Sequence, residues 1–328
     1  MEIKDPDELV KKAEKKLDPG FFKSIFSNAN ERLEKAIYYY KEAAENYKLK
    51  REWIKAGDCY IEIANLKEGM NEDPCESYDD AILCYNKGGA NEKYEKITDK
   101  IINIYMKNYE FSNAAELVFE KAQKLLENAK DDKNKIKEIL DLYDQALDYY
   151  QNDKNTTERK TNKIKEAKAD LIVLNEIKEE LIQAKYIYEE LGKYYNKSNS
   201  GKIFSKEYFA KVVFIYLAYE DYITAKAFLN KYYCEEGGLK GSDIGNFLEN
   251  IIKCFENDGL DIKDEENGNE ENILNFDIAC QMYKAKINYN KEIWDKWKEI
   301  VVNKIGKKIH ELKLEKENEF IDEEEDLK

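Results

Sequence analysis

An all-α fold, built as an array of helical hairpins, is predicted by three features of the chain. Only three prolines, Pro6, Pro19 and Pro74, and 14 glycines interrupt its 328 residues. Ala, Leu, Ile, Glu, Lys and Tyr fill the long stretches between them, which favours sustained helix. Strand-type alternation bounded by turn signals is almost absent, while a pattern of small residues and aromatics recurs at roughly 40 residues, two helices per unit.

The first helix runs from about Asp7 to Leu17, with Asp5 or Asp7 as cap and Leu9, Val10, Ala13 and Leu17 on one face. Asp18-Pro19-Gly20 stops it, and Phe21 to Asn30 form a loop. The recurring unit then begins: Ala36 with Tyr38, Tyr39 and Tyr40 and then Ala43-Ala44, Ala56-Gly57 with Tyr60 and Ala64, and Ala81 with Tyr85. Later copies are Ala114-Ala115 with Phe119 and Ala122, Tyr143 with Ala146 and Tyr149-Tyr150, Ala184 with Tyr188, and Ala225 with Phe228. Small residues let neighbouring helices approach, and the aromatic fills the groove that remains. The tyrosine stripes therefore read as core.

One hairpin hides only one of its sides, so the units must stack, giving a TPR-like array that forms a twisted curved sheet. The segment Glu235 to Gly241 breaks the pattern. Beyond it come an apolar stretch from Phe247 to Phe255, an acidic insertion from Asp264 to Glu271 that reads as a solvated loop, and helices from about Leu274 to Leu314. Three parts result: the repeat array over 1–236 with an apolar loop at 21–26, a C-terminal helical bundle over 237–314 that caps it, and a flexible acidic tail over 315–328.

The composition, 42% apolar and 38% charged, is that of a globular protein, and the net charge of −15 argues against nucleic acid as a partner. The cysteines at 59, 75, 84, 234, 254 and 280 form no Cys-x-x-Cys pair, and the single histidine, His310, has no ligand-type neighbour at helical spacing, so no metal is expected. Neither a signal peptide nor an apolar run of spanning length is present, and reduced, buried thiols in a cytoplasmic protein are the expectation. Gly237-Gly-Leu-Lys-Gly-Ser242 has the wrong spacing for a phosphate loop. No nucleophile, base and orienter can be assembled from one histidine and scattered carboxylates, so neither catalytic residues nor a cofactor are expected.

Two segments read as contact devices. From Glu315 to the end, eight carboxylates stand against two lysines, with Leu327 one position from the terminus. Such a run is either a solubilising tail or a contact for a basic partner. Phe21, Phe22, Ile25 and Phe26 follow a Pro-Gly turn; they either staple the first two helices together or lie exposed, and four large exposed apolar side chains need a function.

Set in order, these pieces resemble the soluble NSF attachment protein (SNAP) family over nearly the whole length. The segment from Asp5 to Lys16 followed by Phe21-Phe-Lys-Ser-Ile-Phe26 resembles that family's first helix and apolar loop. The stretch from Leu49 to Asp58, Asn162-Lys163, Ala169-Asp-Leu171, Ser205-Lys-Glu-Tyr-Phe209, Asp295-Lys-Trp-Lys298, Asn303-Lys-Ile305 and the Glu324-Glu-Asp-Leu-Lys328 ending stand where family motifs stand. The Phe-Phe loop and the ending are similar to the alpha form and less so to the gamma form.

The resemblance implies an adaptor rather than an enzyme: a cytoplasmic, peripheral membrane protein that binds the SNARE four-helix bundle, recruits and stimulates the hexameric ATPase NSF, and serves vesicle fusion. It implies membrane contact for Phe21, Phe22, Ile25 and Phe26, NSF contact for Glu323, Glu324, Glu325, Asp326 and Leu327, and SNARE contact for Lys163 and Lys206. The chain departs from the alpha pattern at Glu116, where a SNARE-facing lysine is expected, and at Glu110, where an arginine is. Lys121, Lys124, Arg159 and Lys165 are candidates to compensate. The rival readings are a generic TPR-like scaffold of another trafficking or proteolytic assembly, a gamma-type paralogue and, last, a helical subunit of an enzyme.

Overall fold

The computed structural model describes residues 5–18, 28–129, 132–234, 238–259, 262–263, 273–290 and 295–326, with backbone alone at 262–263, 273–274, 288–290 and 320–326. Fourteen α-helices lie among them: α1 Pro6–Leu17, α2 Ala29–Leu49, α3 Trp53–Gly69, α4 Cys75–Gly88, α5 Asn91–Lys107, α6 Phe111–Glu127, α7 Lys133–Asn152, α8 Glu158–Leu174, α9 Leu181–Asn196, α10 Lys202–Tyr219, α11 Tyr222–Cys234, α12 Asp243–Glu256, α13 Phe276–Asn290 and α14 Lys296–Asp326. One antiparallel pair of two-residue strands, β1 Ile262–Lys263 and β2 Ile273–Leu274, is joined in the register Ile262 to Leu274. The protein is all-α, as the helix-forming composition and the hairpin repeat require.

Contacts divide the chain into two units, Met1–Lys130 with Asp141–Thr156 and Asp131–Leu140 with Thr157–Lys328. The division falls within α7. Its physical reason is that α14 packs on α8 and α10, so the hairpins from 158 onward share a core with the C-terminal helices.

In the first unit, successive helices pack antiparallel on the one before, α1 on α2 through α5 on α6. Asp5 caps α1 by accepting from the Asp7 N–H at 3.3 Å, with Pro6 at the first helical position. Leu9 and Ala13 form its buried face. The predicted small positions Ala36, Ala43, Ala44, Ala56, Ala64, Ala81, Ala114, Ala115 and Ala122 are all sealed from solvent. Gly57 shows why they are small: a Cβ there would stand 2.7 Å from the Tyr85 ring, so the aromatic occupies the space a side chain would need.

A hydrogen-bonded rung accompanies the first four of the helix contacts. Tyr47 on α2 donates to Asp7 on α1 at 2.5 Å, Tyr60 on α3 to Glu45 on α2 at 2.6 Å, Tyr85 on α4 to Asp58 on α3 at 2.7 Å, and Tyr105 on α5 to Asp79 on α4 at 3.0 Å. The ring fills the groove and the hydroxyl reaches a carboxylate at its rim. Burial, followed by the carboxylate partner, pushes the Tyr60 and Tyr85 hydroxyls well above their ordinary pKa. Each rung contributes about 1 kcal/mol net.

Helix ends are turned by residues at positive φ: Arg51 at 60°, Asn71 at 58° and Tyr109 at 62°. Glycine is the usual residue at such a terminus, and a bulky side chain there is strained.

In the second unit, α8 to α11 continue the hairpin pattern, with Ala184, Tyr188 and Ala225 buried. Gly192 repeats the logic of Gly57, since a Cβ there would lie 2.5 Å from the Phe209 ring. Gly238 and Gly241, both at positive φ, turn the chain into α12, whose Ser242 cap accepts from the Gly245 N–H at 3.1 Å. Helix α14 buries Trp297, Val301, Val302, Ile305 and Ile309 along one stripe.

Two expectations meet different outcomes. The stretch 315–326, expected to be flexible because of its charge, is the continuation of α14 in backbone. Glu has high helix propensity, and Lys316 sits 3.3 Å from Glu319 one turn on, so the acidic sequence still forms helix. Of the thiols, Cys59, Cys75, Cys84 and Cys254 are buried and Cys280 half-buried, but Cys234 at the end of α11 is exposed. The acidic insertion at 264–271 lies outside the described residues.

Candidate partner-binding surfaces

Motifs far apart in the sequence meet in one buried joint of the second unit. The Trp297 indole N–H donates to the Tyr188 hydroxyl at 3.0 Å, and that hydroxyl donates to Asp170 at 2.5 Å. Asp170 also takes the Lys211 ammonium at 2.6 Å, and Lys211 lies over both the Tyr188 and Trp297 rings, 4.9 and 5.1 Å from their centroids. Burial, with Asp170 alongside, holds the Tyr188 hydroxyl far above its ordinary pKa. Four helices, α8, α9, α10 and α14, are thereby fastened by one chain of hydrogen bonds.

Around the joint, lysines of α14 dock on their neighbours. Lys298 pairs with Glu207 at 2.9 Å, and Lys304 with Glu176 at 2.9 Å. Lys308 donates to the Leu217 and Glu220 carbonyls at 3.2 and 2.7 Å, closing the C-terminal end of α10. Ser205 donates to the Gly192 carbonyl at 2.9 Å, and Tyr208 stacks on Tyr188 and Tyr195. Ala169-Asp-Leu171, Ser205 to Phe209, Asp295 to Lys298 and Asn303 to Ile305 thus supply the parts of a structural joint.

The basic residues differ in how far the fold buries them. Lys121 is tied to Asp99 and Lys165 to Glu190, each at 2.6 Å. Lys124 turns inward, its ammonium buried without a hydrogen-bond partner and 3.4 Å from the centre of the Tyr94 ring; desolvation lowers its pKa. Arg159, Lys160 and Lys163 share an exposed face of α8, on the side opposite buried Ile164 and Ala169. Lys206 on α10 is half-buried. Lys160 completes this basic face and was not singled out from sequence; its spacing of three from Lys163 was the available signal.

The two departures from the family pattern have local partners. Glu116, exposed on α6, accepts a hydrogen bond from Tyr150 and so extends the tyrosine ladder to α7. Glu110 brackets the turn into α6, accepting from the Asn108 and Asn113 side chains at 3.3 and 2.8 Å.

Phe21, Phe22, Ile25, Phe26 and Leu327 lie outside the described residues; Glu323, Glu324, Glu325 and Asp326 are helical in backbone at the end of α14. Among the described residues no helix is long and apolar enough to cross a membrane.

The profile of soluble NSF attachment proteins matches residues 4–310. The chain belongs to the soluble NSF attachment protein family. An alpha-soluble NSF attachment protein of Saccharomyces cerevisiae is 29% identical over 317 residues, covering 94% of this chain and 98% of its own. The vesicular-fusion protein SEC17 of Komagataella phaffii is 27% identical over 234 residues, 70% of this chain and 76% of its own. The human alpha-soluble NSF attachment protein is 23% identical over 257 residues, 77% of this chain and 83% of its own. As a member of the SNAP family, this chain is a non-enzymatic adaptor of vesicle trafficking.

Proposed function

We propose that the chain binds assembled SNARE bundles, recruits NSF and stimulates its ATPase, so that the bundle is taken apart after fusion. The family match across residues 4–310 carries this reading. The basic face of α8, on which Arg159, Lys160 and Lys163 are exposed, is suited to an acidic helical rod. Lys206 is the second SNARE contact. Glu323, Glu324, Glu325 and Asp326 supply charge complementarity to a basic surface of NSF, and Leu327 supplies an apolar contact at the tip.

Phe21, Phe22, Ile25 and Phe26 contact the bilayer. Burying one such side chain is worth roughly 1.5–3 kcal/mol, against an association cost on the order of 4–15 kcal/mol, so one copy binds weakly and several copies around one bundle bind by avidity. The protein works in the cytoplasm at the membrane surface, and its net charge of −15 leaves nucleic acid no role.

The test is a pull-down on an assembled SNARE bundle, repeated with NSF and a non-hydrolysable nucleotide. Leu327→Ala should retain SNARE binding yet stimulate the ATPase poorly; full stimulation removes the tip from the mechanism. A chain that captures neither SNAREs nor NSF is a scaffold of another assembly.

A further inference from the structure

We propose that the groove between the start of α8 and the end of α9 binds a phosphate monoester, as carried by a phosphorylated lipid headgroup. A cavity of about 220 Å³ opens there, small against the roughly 300–1,000 Å³ that encloses a drug-sized ligand. Glu158, Thr161, Asn162 and Lys165 line it from α8, and Glu190, Lys193, Tyr194 and Lys197 from α9.

Asn162 is the decisive residue. It is 6% exposed, and its side-chain nitrogen is buried with no hydrogen-bond partner. A buried donor without an acceptor is a standing cost that a bound oxyanion would relieve. Three ammonium groups surround the same space. Lys165 is held by Glu190 at 2.6 Å, Lys193 shares Glu189 with Lys231 at 3.0 and 2.5 Å, and Lys197 lies 5.7 Å from the centre of the Tyr194 ring. The lining itself sets two carboxylates, Glu158 and Glu190, against these three cations, and Glu189, which holds Lys193, is shared with a fourth cation, Lys231.

The α8 N-terminus adds to the positive potential, because its cap residue, Thr157, makes no side-chain hydrogen bond to the first turn. Donors arrive from two helices rather than in one plane, which suits a tetrahedral dianion better than a planar carboxylate.

The neighbouring surface selects the lipid source. Tyr194 contacts Tyr195 at 5.1 Å between ring centres, and Tyr195 contacts Phe204 at 5.6 Å. Phe204 and Ile203 are 56% and 65% exposed at the start of α10. Cations beside exposed apolar side chains are the pattern that a headgroup and its acyl boundary recognise. This site uses none of the residues proposed above for bilayer, SNARE or NSF contact.

Calorimetric titration of the full chain with inorganic phosphate, against chloride at equal ionic strength, tests the site. The wild type should bind, Asn162→Ala should bind about tenfold more weakly, and Lys193→Gln/Lys197→Gln should not bind measurably while melting as the wild type does. Both lysines are exposed, so the double variant is expected to fold. Absence of phosphate binding by the wild type, or equal binding by the double variant, overturns the proposal.

The source is read by flotation with phosphatidylcholine vesicles, with and without phosphatidylinositol 4-phosphate, in a Phe21→Ser/Phe22→Ser background. Flotation that needs the phosphorylated lipid and is lost with Lys193→Gln/Lys197→Gln or Ile203→Ser/Phe204→Ser supports the headgroup. Phosphate binding without such flotation overturns the lipid source and assigns a soluble phosphate.

Discussion

Tyrosine hydroxyls meet carboxylates in both units, but with different connectivity. From α1 to α5 each rung joins one helix to its predecessor, and Asp58, the acceptor of Tyr85, also holds Lys93 at 2.5 Å near the surface. At the joint of α14, the acceptor Asp170 serves Tyr188 and Lys211 while Tyr188 serves Trp297, with Tyr188 and Trp297 buried and Asp170 and Lys211 partly so. A rung can be lost alone. Removing one member of the joint strands the others, so the same chemical change should cost more there.

The largest effect tests that contrast directly. Trp297→Ala should lower stability by about 3–5 kcal/mol in denaturant unfolding, through the cavity and the lost hydrogen bond to the Tyr188 hydroxyl. A loss no larger than that of a single rung would break the comparison. Next, Tyr188→Phe should cost about 2–3 kcal/mol and Tyr85→Phe about 1 kcal/mol, and a double-mutant cycle of Tyr188→Phe with Trp297→Phe should show coupling where Tyr85→Phe shows none.

Smaller effects sharpen the picture of the repeat unit. Tyr109, at φ 62° and 79% exposed, makes an edge contact with Phe111 and little else; Tyr109→Gly should raise stability by up to about 1 kcal/mol in thermal unfolding. Smallest is Asp79. Burial, opposed by its Tyr105 hydrogen bond and reinforced by Asp80, raises its pKa above the ordinary 3.8. The ionised carboxylate is therefore a cost that is complete above the folded pKa and gone below 3.8. Asp79→Asn should add less than about 1 kcal/mol at pH 7, and the gain should fade as pH falls through that window. A gain that grows with acid would show the opposite shift.

Much of the architecture was legible because it is written in residue size. Alanines at 36, 56, 81 and 114 and the aromatics after them mark the helix contacts, and the buried alanines and the Gly57–Tyr85 approach match that reading. The hydroxyl partners were not legible, since a tyrosine at helical spacing looks alike whether its oxygen meets water or Asp58. The joint was legible only as separate motifs: Asp170, Tyr188, Lys211 and Trp297 span well over a hundred positions, and no periodicity links them. The basic residues illustrate the same limit. Lys121, Lys124 and Lys165 look available in sequence, yet each is engaged inside its own unit, and only burial sets them apart from exposed Arg159 and Lys163.

Helix α14 is one uninterrupted rod from Lys296 to Asp326, in contact with its unit as far as Lys316, 3.8 Å from Asp258, and then running on for about 15 Å at 1.5 Å per residue. The anionic tip and Trp297 therefore stand on one helix, and a pull on the first is directed along that helix toward the place where α8, α9 and α10 are joined.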